Sequence, residues 1–187
     1  MIVSSKLHGL HDGFSIMEVM VALLLLAIGA MGYMAMALTS SQMTTTTFAY
    51  SQATNLAGDM VERININYPS IATSNYQITA APNYALAPSS YPNACELKVC
   101  NGVAMASYDL GQVAYEANEL LPQGLVAVLI PATGNNHVEV LVSWSGTTPT
   151  VGRGPNDCVS STVSTTGTPT YTYNTNAHCV MLESTYQ

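Results

Sequence analysis

The feature that most constrains this chain is the run FSIMEVMVALLLLAIGAMGYMAMAL, Phe14 to Leu38, which carries a single charge, Glu18. From Val19 to Leu38, about twenty residues, no side chain is charged. At about 1.5 Å of rise per residue, a helix of that length crosses a bilayer core of roughly 30 Å. A small soluble domain cannot cover a helix that is apolar on every side. Glu18 is the anomaly, because a carboxylate at the centre of a membrane helix costs roughly 2.5–3.5 kcal/mol on insertion scales. A charge in such a place needs a partner, and the nearest one available is an N-terminal amine made by cutting after Gly13. A secretory signal peptide fits less well, since its apolar core runs about 7–15 residues and ends in a small-x-small cleavage site. An uncleaved signal-anchor explains the length but gives no reason for Glu18 or for the Gly13–Phe14 junction.

Thirteen residues, MIVSSKLHGLHDG, precede Phe14. A short polar leader ending in Gly, then Phe, then Glu at the fifth position of the shortened chain resembles the N-terminal signature of type IV prepilins. The resemblance implies cleavage of the Gly13–Phe14 bond on the cytoplasmic side by a membrane-embedded prepilin peptidase. It also implies N-methylation of Phe14 by the same enzyme's methyltransferase activity, and pairing of Glu18 with the terminal amine of a neighbouring subunit. Gly13 suits the cut because a residue without Cβ lets the protease approach the backbone closely. Buried opposite charges attract strongly and either one alone is penalised, so the pair would set axial register more than bulk stability. Lys6, helped by His8 and His11, keeps the leader cytoplasmic by the positive-inside tendency and sends the remainder across the membrane. Asp12 beside the cut departs from the Lys or Arg that many relatives carry there.

The apolar run is also rich in small residues. Ala22, Ala27, Gly29, Ala30, Gly32, Ala35 and Ala37 permit close approach of partner helices. Beyond the run the composition changes. Charged residues make up only 8% of the chain, against roughly 25% in an ordinary soluble domain. Ser, Thr, Asn, Gly and Tyr dominate, which suits an exported β-rich surface better than a cytoplasmic enzyme. The net charge is −7, and removing the leader leaves it unchanged because Lys6 and Asp12 leave together. Only Arg63, Lys98 and Arg153 then remain as cations. That balance argues against nucleic acid as a partner, since displacing counterions takes clustered Lys and Arg.

All four cysteines, Cys95, Cys100, Cys158 and Cys179, lie beyond the apolar run. An even count in an exported domain points to two disulfides. Three pairings are possible, and Cys95–Cys100 with Cys158–Cys179 is favoured because each pair is local. A bridge closing the second loop is worth roughly 3 kcal/mol in the chain-entropy model. The spacing matches no common zinc site, so no metal is expected.

The first helix should continue past the membrane. Ala53, Leu56, Ala57, Met60, Val61 and Ile64 recur with helical spacing and form one apolar face, while Asp59, Glu62 and Arg63 fall elsewhere. Thr44 to Thr47 are four β-branched residues in a row and poor helix formers. Continuity is still expected because the flanking segments hold the helix on both sides. Tyr68-Pro69 stops it. Residues 70–93, with Pro82, Pro88 and Pro92, read as an irregular connection with a short strand at 76–79.

Asn101 caps a second helix running to about Leu121. Its apolar side is expected to hold Met105, Tyr108, Val113, Ala117, Leu120 and Leu121, with Asp109, Glu116 and Glu119 outward. Two strands follow, 125–130 and 137–144. In the second, Val138, Val140, Val142 and Trp144 should face the helix, and His137, Glu139, Leu141 and Ser143 should face out. In the tail, 170–173 and 179–182 are strand candidates. The expected class is α+β: a long N-terminal helix, its first half transmembrane, packed on a C-terminal antiparallel sheet head with a second short helix. The expected divisions are a leader at 1–13, a helix at 14–68 with its membrane and assembly segment at 14–38, and a head at 69–187.

The middle of the chain narrows the resemblance. CELKVCNGVAMASYDLGQVAYEANELLPQG followed by VEVLVSW is similar to the PilV-type minor pilins, in the cysteine pair, the Ala-x-Tyr-Asp-Leu helix core, the Leu-Pro-x-Gly exit and the strand that follows. Val113 stands where relatives often have Trp. The resemblance implies the type IV pilin fold and a non-catalytic subunit that primes or modulates pilus assembly near the tip, supporting twitching motility or adhesion. The alternatives are a pseudopilin of a type II secretion system and a tip module for adhesion or DNA uptake. Implied partners are other pilin subunits through the N-terminal helix, the prepilin peptidase and N-methyltransferase, the inner-membrane assembly platform, and inner-membrane lipid before assembly. The implied location is the bacterial inner membrane, single-pass with a periplasmic head, and then the surface pilus.

No catalytic residue or cofactor is expected. The sequence contains no Gly-rich phosphate loop, H-E-x-x-H or G-x-S-x-G motif. His178 beside Cys179 would resemble a nucleophile–base pair, but an oxidised cysteine cannot attack. Asn156-Asp157 offers too few oxygens for calcium.

Overall fold

The computed structural model describes residues 13–67, 75–77, 84–130, 137–163 and 169–185. Contacts divide the chain into two compact units, Met1–Thr45 and Thr46–Gln187. The first helix, α1 (Ile16–Ile66), contributes to both.

In the first unit α1 is the only described element. It stays helical through the run of threonines at its end. The hydroxyls of Thr39, Thr44 and Thr45 donate to the carbonyls of Ala35, Ser40 and Ser41 at 3.0, 2.9 and 3.0 Å. Each hydroxyl therefore bonds one turn back within the helix instead of competing with it from outside.

In the second unit the buried residues of α1 are Ala53, Leu56, Ala57, Met60, Val61 and Ile64, the same six positions that helical spacing selects. They pack with Val126, Val128, Val138, Val140, Val142 and Trp144 from the strands and their exits. Ala106, Leu110, Val113 and Ala117 of the second helix, α2 (Gly102–Leu120), complete this core. Full burial of a large aliphatic side chain contributes roughly 1.5–3 kcal/mol, so this cluster is the main source of cohesion. Tyr50 meets Trp144 edge-on, with ring centroids 4.8 Å apart. α1 ends at Ile66, and the N–H of Asn67 just after it still donates to the Arg63 carbonyl. The Tyr68-Pro69 stop lies outside the described residues, as do 78–79 of the expected strand at 76–79; Asn75 and Tyr76 form a turn.

Asn101 caps α2, its side chain accepting from the Ala104 N–H at 2.8 Å. The buried face of α2 is rotated from the expected one. Leu120 is exposed, Met105 and Tyr108 are half-buried, and Asp109 is buried together with Ala106, Leu110, Gln112, Val113, Ala114 and Ala117. At the exit a Cβ on Gly124 would lie 1.9 Å from the Ala117 carbonyl oxygen, so only glycine fits where the chain turns back against the helix end.

Six strands follow: β1 (Leu125–Leu129), β2 (His137–Ser143), β3 (Thr148–Val151), β4 (Asp157–Val163), β5 (Pro169–Tyr173) and β6 (Cys179–Thr185). They form two three-stranded sheets. The first has the order β1-β2-β6 and is antiparallel throughout, with Val126 opposite Val142 and Glu139 opposite Glu183. The second has the order β3-β4-β5, with β3 parallel to β4 and β4 antiparallel to β5. The chain passes from the first to the second at Ser145 and Gly146, both with positive φ (53° and 85°), and the Thr147 N–H closes that turn on the Trp144 carbonyl.

The second sheet corrects the expected orientation of β2. Val138, Val140, Val142 and Trp144 do face the helices. Glu139, Leu141 and Ser143 are buried instead of outward. A second core covers that face, built from Ala127, Leu141, Cys158, Val159 and Cys179. Two disulfides are present. Cys95–Cys100 closes a short loop ahead of α2, and Cys158–Cys179 ties β4 in one sheet to β6 in the other.

Candidate functional site

The N-terminal segment is the first candidate. Gly13 and Phe14 are exposed and precede the helix, which starts at Ile16. Glu18 lies in the first turn of α1, and its N–H donates to the Ser15 carbonyl at 3.0 Å. Leader residues 1–12 lie outside the described residues. From Phe14 to Phe48 every side chain is exposed, including Leu23, Leu24, Leu25, Leu26 and Ile28 at 60% or more. This helix is long and apolar enough to cross a membrane by length and composition. An apolar surface of this kind on all sides is stable only against lipid or other helices.

In the second unit a polar knot joins four segments. The Arg63 Nε donates to Asp59 at 2.8 Å, and its Nη1 reaches the Asp109 Oδ1 at 3.3 Å and donates to the Gln112 Oε1 at 2.6 Å. The Tyr76 hydroxyl donates to the Asp109 Oδ2 at 2.7 Å and accepts from the Asn67 amide at 2.9 Å. Asn67 also donates to the Gly102 carbonyl at the start of α2. The Gln112 amide donates to the Tyr91 hydroxyl at 2.8 Å. Burial and the bond to Asp109 hold the Tyr76 hydroxyl well above the usual tyrosine pKa. These bonds explain why Asp109 is buried: its charge is met by Arg63 and its second oxygen by Tyr76. The knot sets α2 on α1.

The third feature lies between the two sheets. Glu139 on β2 is fully buried, and neither carboxylate oxygen has a hydrogen bond of good geometry, although His137 and Tyr171 stand beside it. His137 Nε2 stands 3.4 Å from its Oε1 and 4.0 Å from Glu183 Oε2. Burial pushes the Glu139 pKa up, and the nearby Tyr171 and His137 offset that only in part. Tyr171 is pushed up in turn by burial and by Glu139. Val159, Tyr171, Tyr173, Met181 and Glu183 line a crevice of about 300 Å³ there. Among the described residues no three His, Cys, Asp or Glu side chains are set to hold a metal ion. Alternation along β2 placed Glu139 outward, and nothing in the sequence signalled the sheet that covers it.

Comparison with known proteins gives one family match. Residues 35–111 match the model described as Tt1218-like, type IV pilin Tt1218. The matched stretch runs from the apolar segment through the buried stripe of α1 and the segment between the helices to the first half of α2. No curated protein and no solved structure matches. The architecture of a long N-terminal helix, a second helix and a C-terminal antiparallel sheet is α+β and consistent with the type IV pilin fold. Over that stretch, and in its architecture, the chain is similar to type IV pilins.

Proposed function

We propose that this protein is a minor subunit of a type IV pilus, non-catalytic, which primes or modulates filament assembly near the tip. The observation that carries the reading is the helix that starts at Ile16, apolar as far as Leu38 and exposed on all sides there, with one acid in its first turn. Such a rod requires a bilayer before assembly and sister rods after it. The family match supports a pilin subunit, and pilins are in general structural and not catalytic. The PilV-like features of the cysteine loop and α2 support the minor assignment.

In this reading a prepilin peptidase cuts Gly13–Phe14 and the new Phe14 amine is methylated. A methylated secondary amine stays cationic, so it remains able to neutralise Glu18 on a neighbouring subunit. Before assembly the helix holds the protein in the inner membrane as a single pass with the head in the periplasm. The partners are other pilin subunits, the peptidase and the inner-membrane assembly platform.

Intact mass and N-terminal sequencing of protein recovered from cells test the processing. The expected product begins at N-methylated Phe14; a protein that still begins at Met1 sinks the reading. Glu18→Ala should leave the folded head unchanged, since the buried residues of α1 begin at Ala53, but should abolish incorporation into surface pili. A deletion strain with normal piliation that retains secreted enzymes in the periplasm would favour a type II secretion pseudopilin instead.

A further inference from the structure

We propose that the crevice between the two sheets is a binding site for one alkylammonium group, either a lysine side chain or a small free amine. Its walls are the rings of Tyr171 and Tyr173 with the apolar side chains of Val159 and Met181, and Glu183 stands at the edge. Glu183 is the direct cross-strand partner of Glu139, so both carboxylates leave the first sheet on the same side, toward the second sheet. Glu183 is half exposed, whereas Glu139 is fully buried with no well-formed hydrogen bond to either oxygen. Glu139 does not itself line the crevice, but a buried carboxylate is costly, and a cation held at its cross-strand neighbour Glu183 lowers that cost through space.

The shape and chemistry favour an organic cation. Aromatic rings attract an ammonium group through their faces, and an alkyl chain finds apolar contact at Val159 and Met181. Three ligands arranged for a metal are absent among the described residues. At about 300 Å³ the crevice is at the small end of ligand sites, which suits a single four- or five-carbon amine. The chain carries one source of such a group. Lys98 is its only lysine after Gly13. It is exposed in the loop closed by Cys95–Cys100, between Leu97 and Val99, which are 80% and 100% exposed. A second copy could present this side chain, or a free amine could fill the site. This inference does not rest on the pilus reading.

The test titrates n-butylammonium chloride onto the full chain in detergent micelles, followed by calorimetry, with 1-butanol as the uncharged control. Expected is saturable binding of the amine and none of the alcohol, with affinity at least tenfold weaker in Glu183→Gln and weakened by less in Glu139→Gln. Glu183→Gln changes a half-exposed side chain, so its loss of binding cannot be ascribed to misfolding. Absence of saturable binding, equal binding of butanol, or binding undiminished by Glu183→Gln overturns the proposal. Sedimentation velocity then separates the sources. Self-association that is lost in Lys98→Gln and competed by butylammonium assigns the site to a second copy. Amine binding without such self-association assigns it to a free amine.

Discussion

The guanidinium of Arg63 on α1 stands 3.3 Å from the carboxylate of Asp109 on α2, and the other oxygen of Asp109 takes the Tyr76 hydroxyl at 2.7 Å. One acid thereby holds three segments together. The Asp109 side chain is 6% exposed and that of Arg63 24%, so the pair is only partly screened by solvent. Removing one partner leaves the other desolvated and unmatched. Asp109→Ala should therefore lower the unfolding free energy by about 3 kcal/mol, measured by denaturant titration. A loss no larger than that of an exposed surface pair would show that the knot is not what sets α2 on α1.

Tyr76 makes a signed prediction for alkaline pH. Its folded-state pKa is raised above the ordinary value, by burial first and by Asp109 second. Its contribution to stability is fully present below the unfolded tyrosine pKa of about 10. It is lost as pH rises above that value toward the folded one, because the unfolded chain releases the proton first. Stability should fall as pH rises above about 10, and the fall should be shallower in Tyr76→Phe. Denaturant midpoints at successive pH values read both slopes.

The bridge between Cys158 and Cys179 joins the two sheets, and both cysteines are buried. A double Cys158→Ser, Cys179→Ser variant should lose roughly 3 kcal/mol from the chain-entropy term. The same change at Cys95 and Cys100 closes a much shorter loop and should cost about 2 kcal/mol. Guanidinium unfolding of the two variants side by side tests the order; a larger loss at the short loop would contradict it.

Glu139 makes the opposite kind of prediction. Burial raises its folded-state pKa, so its contribution is present below the unfolded value of about 4.3 and is lost as pH rises through the folded one. At neutral pH the ionised form is a liability. Glu139→Gln should be more stable than the parent at pH 7, by on the order of 1 kcal/mol, and the gain should shrink toward pH 4. A variant destabilised equally at both pH values would mean that His137 and Tyr171 already meet the charge of the carboxylate.

Periodic patterns were legible in the sequence wherever one face of an element meets one core. The six buried positions of α1, the Asn101 cap and the helix-facing valines of β2 follow from spacing alone. The pattern misleads where a polar residue is buried by a specific partner. Asp109 belongs to the outward set by hydropathy and lies inside because Arg63 and Tyr76 meet it there. Strands β3 and β4 were missed for a related reason. TPTV and DCVSSTV have little apolar alternation, and β3 carries Pro149 between glycine-rich turns. Their pairing comes from partners distant in the chain.

The sequence by itself determined the apolar helix and its single acid, the stripe that continues it, and the alternation of β2. Each is a local repeat of hydropathy, and a local repeat requires only a backbone period to be read. Only the tertiary structure decided that a second sheet closes over the first. It alone buries Glu139, stations Glu183 beside a tyrosine-lined crevice, and seats Asp109 against Arg63. Those outcomes depend on which surfaces meet, and residues far apart in the chain carry no periodic mark of the contacts they will make.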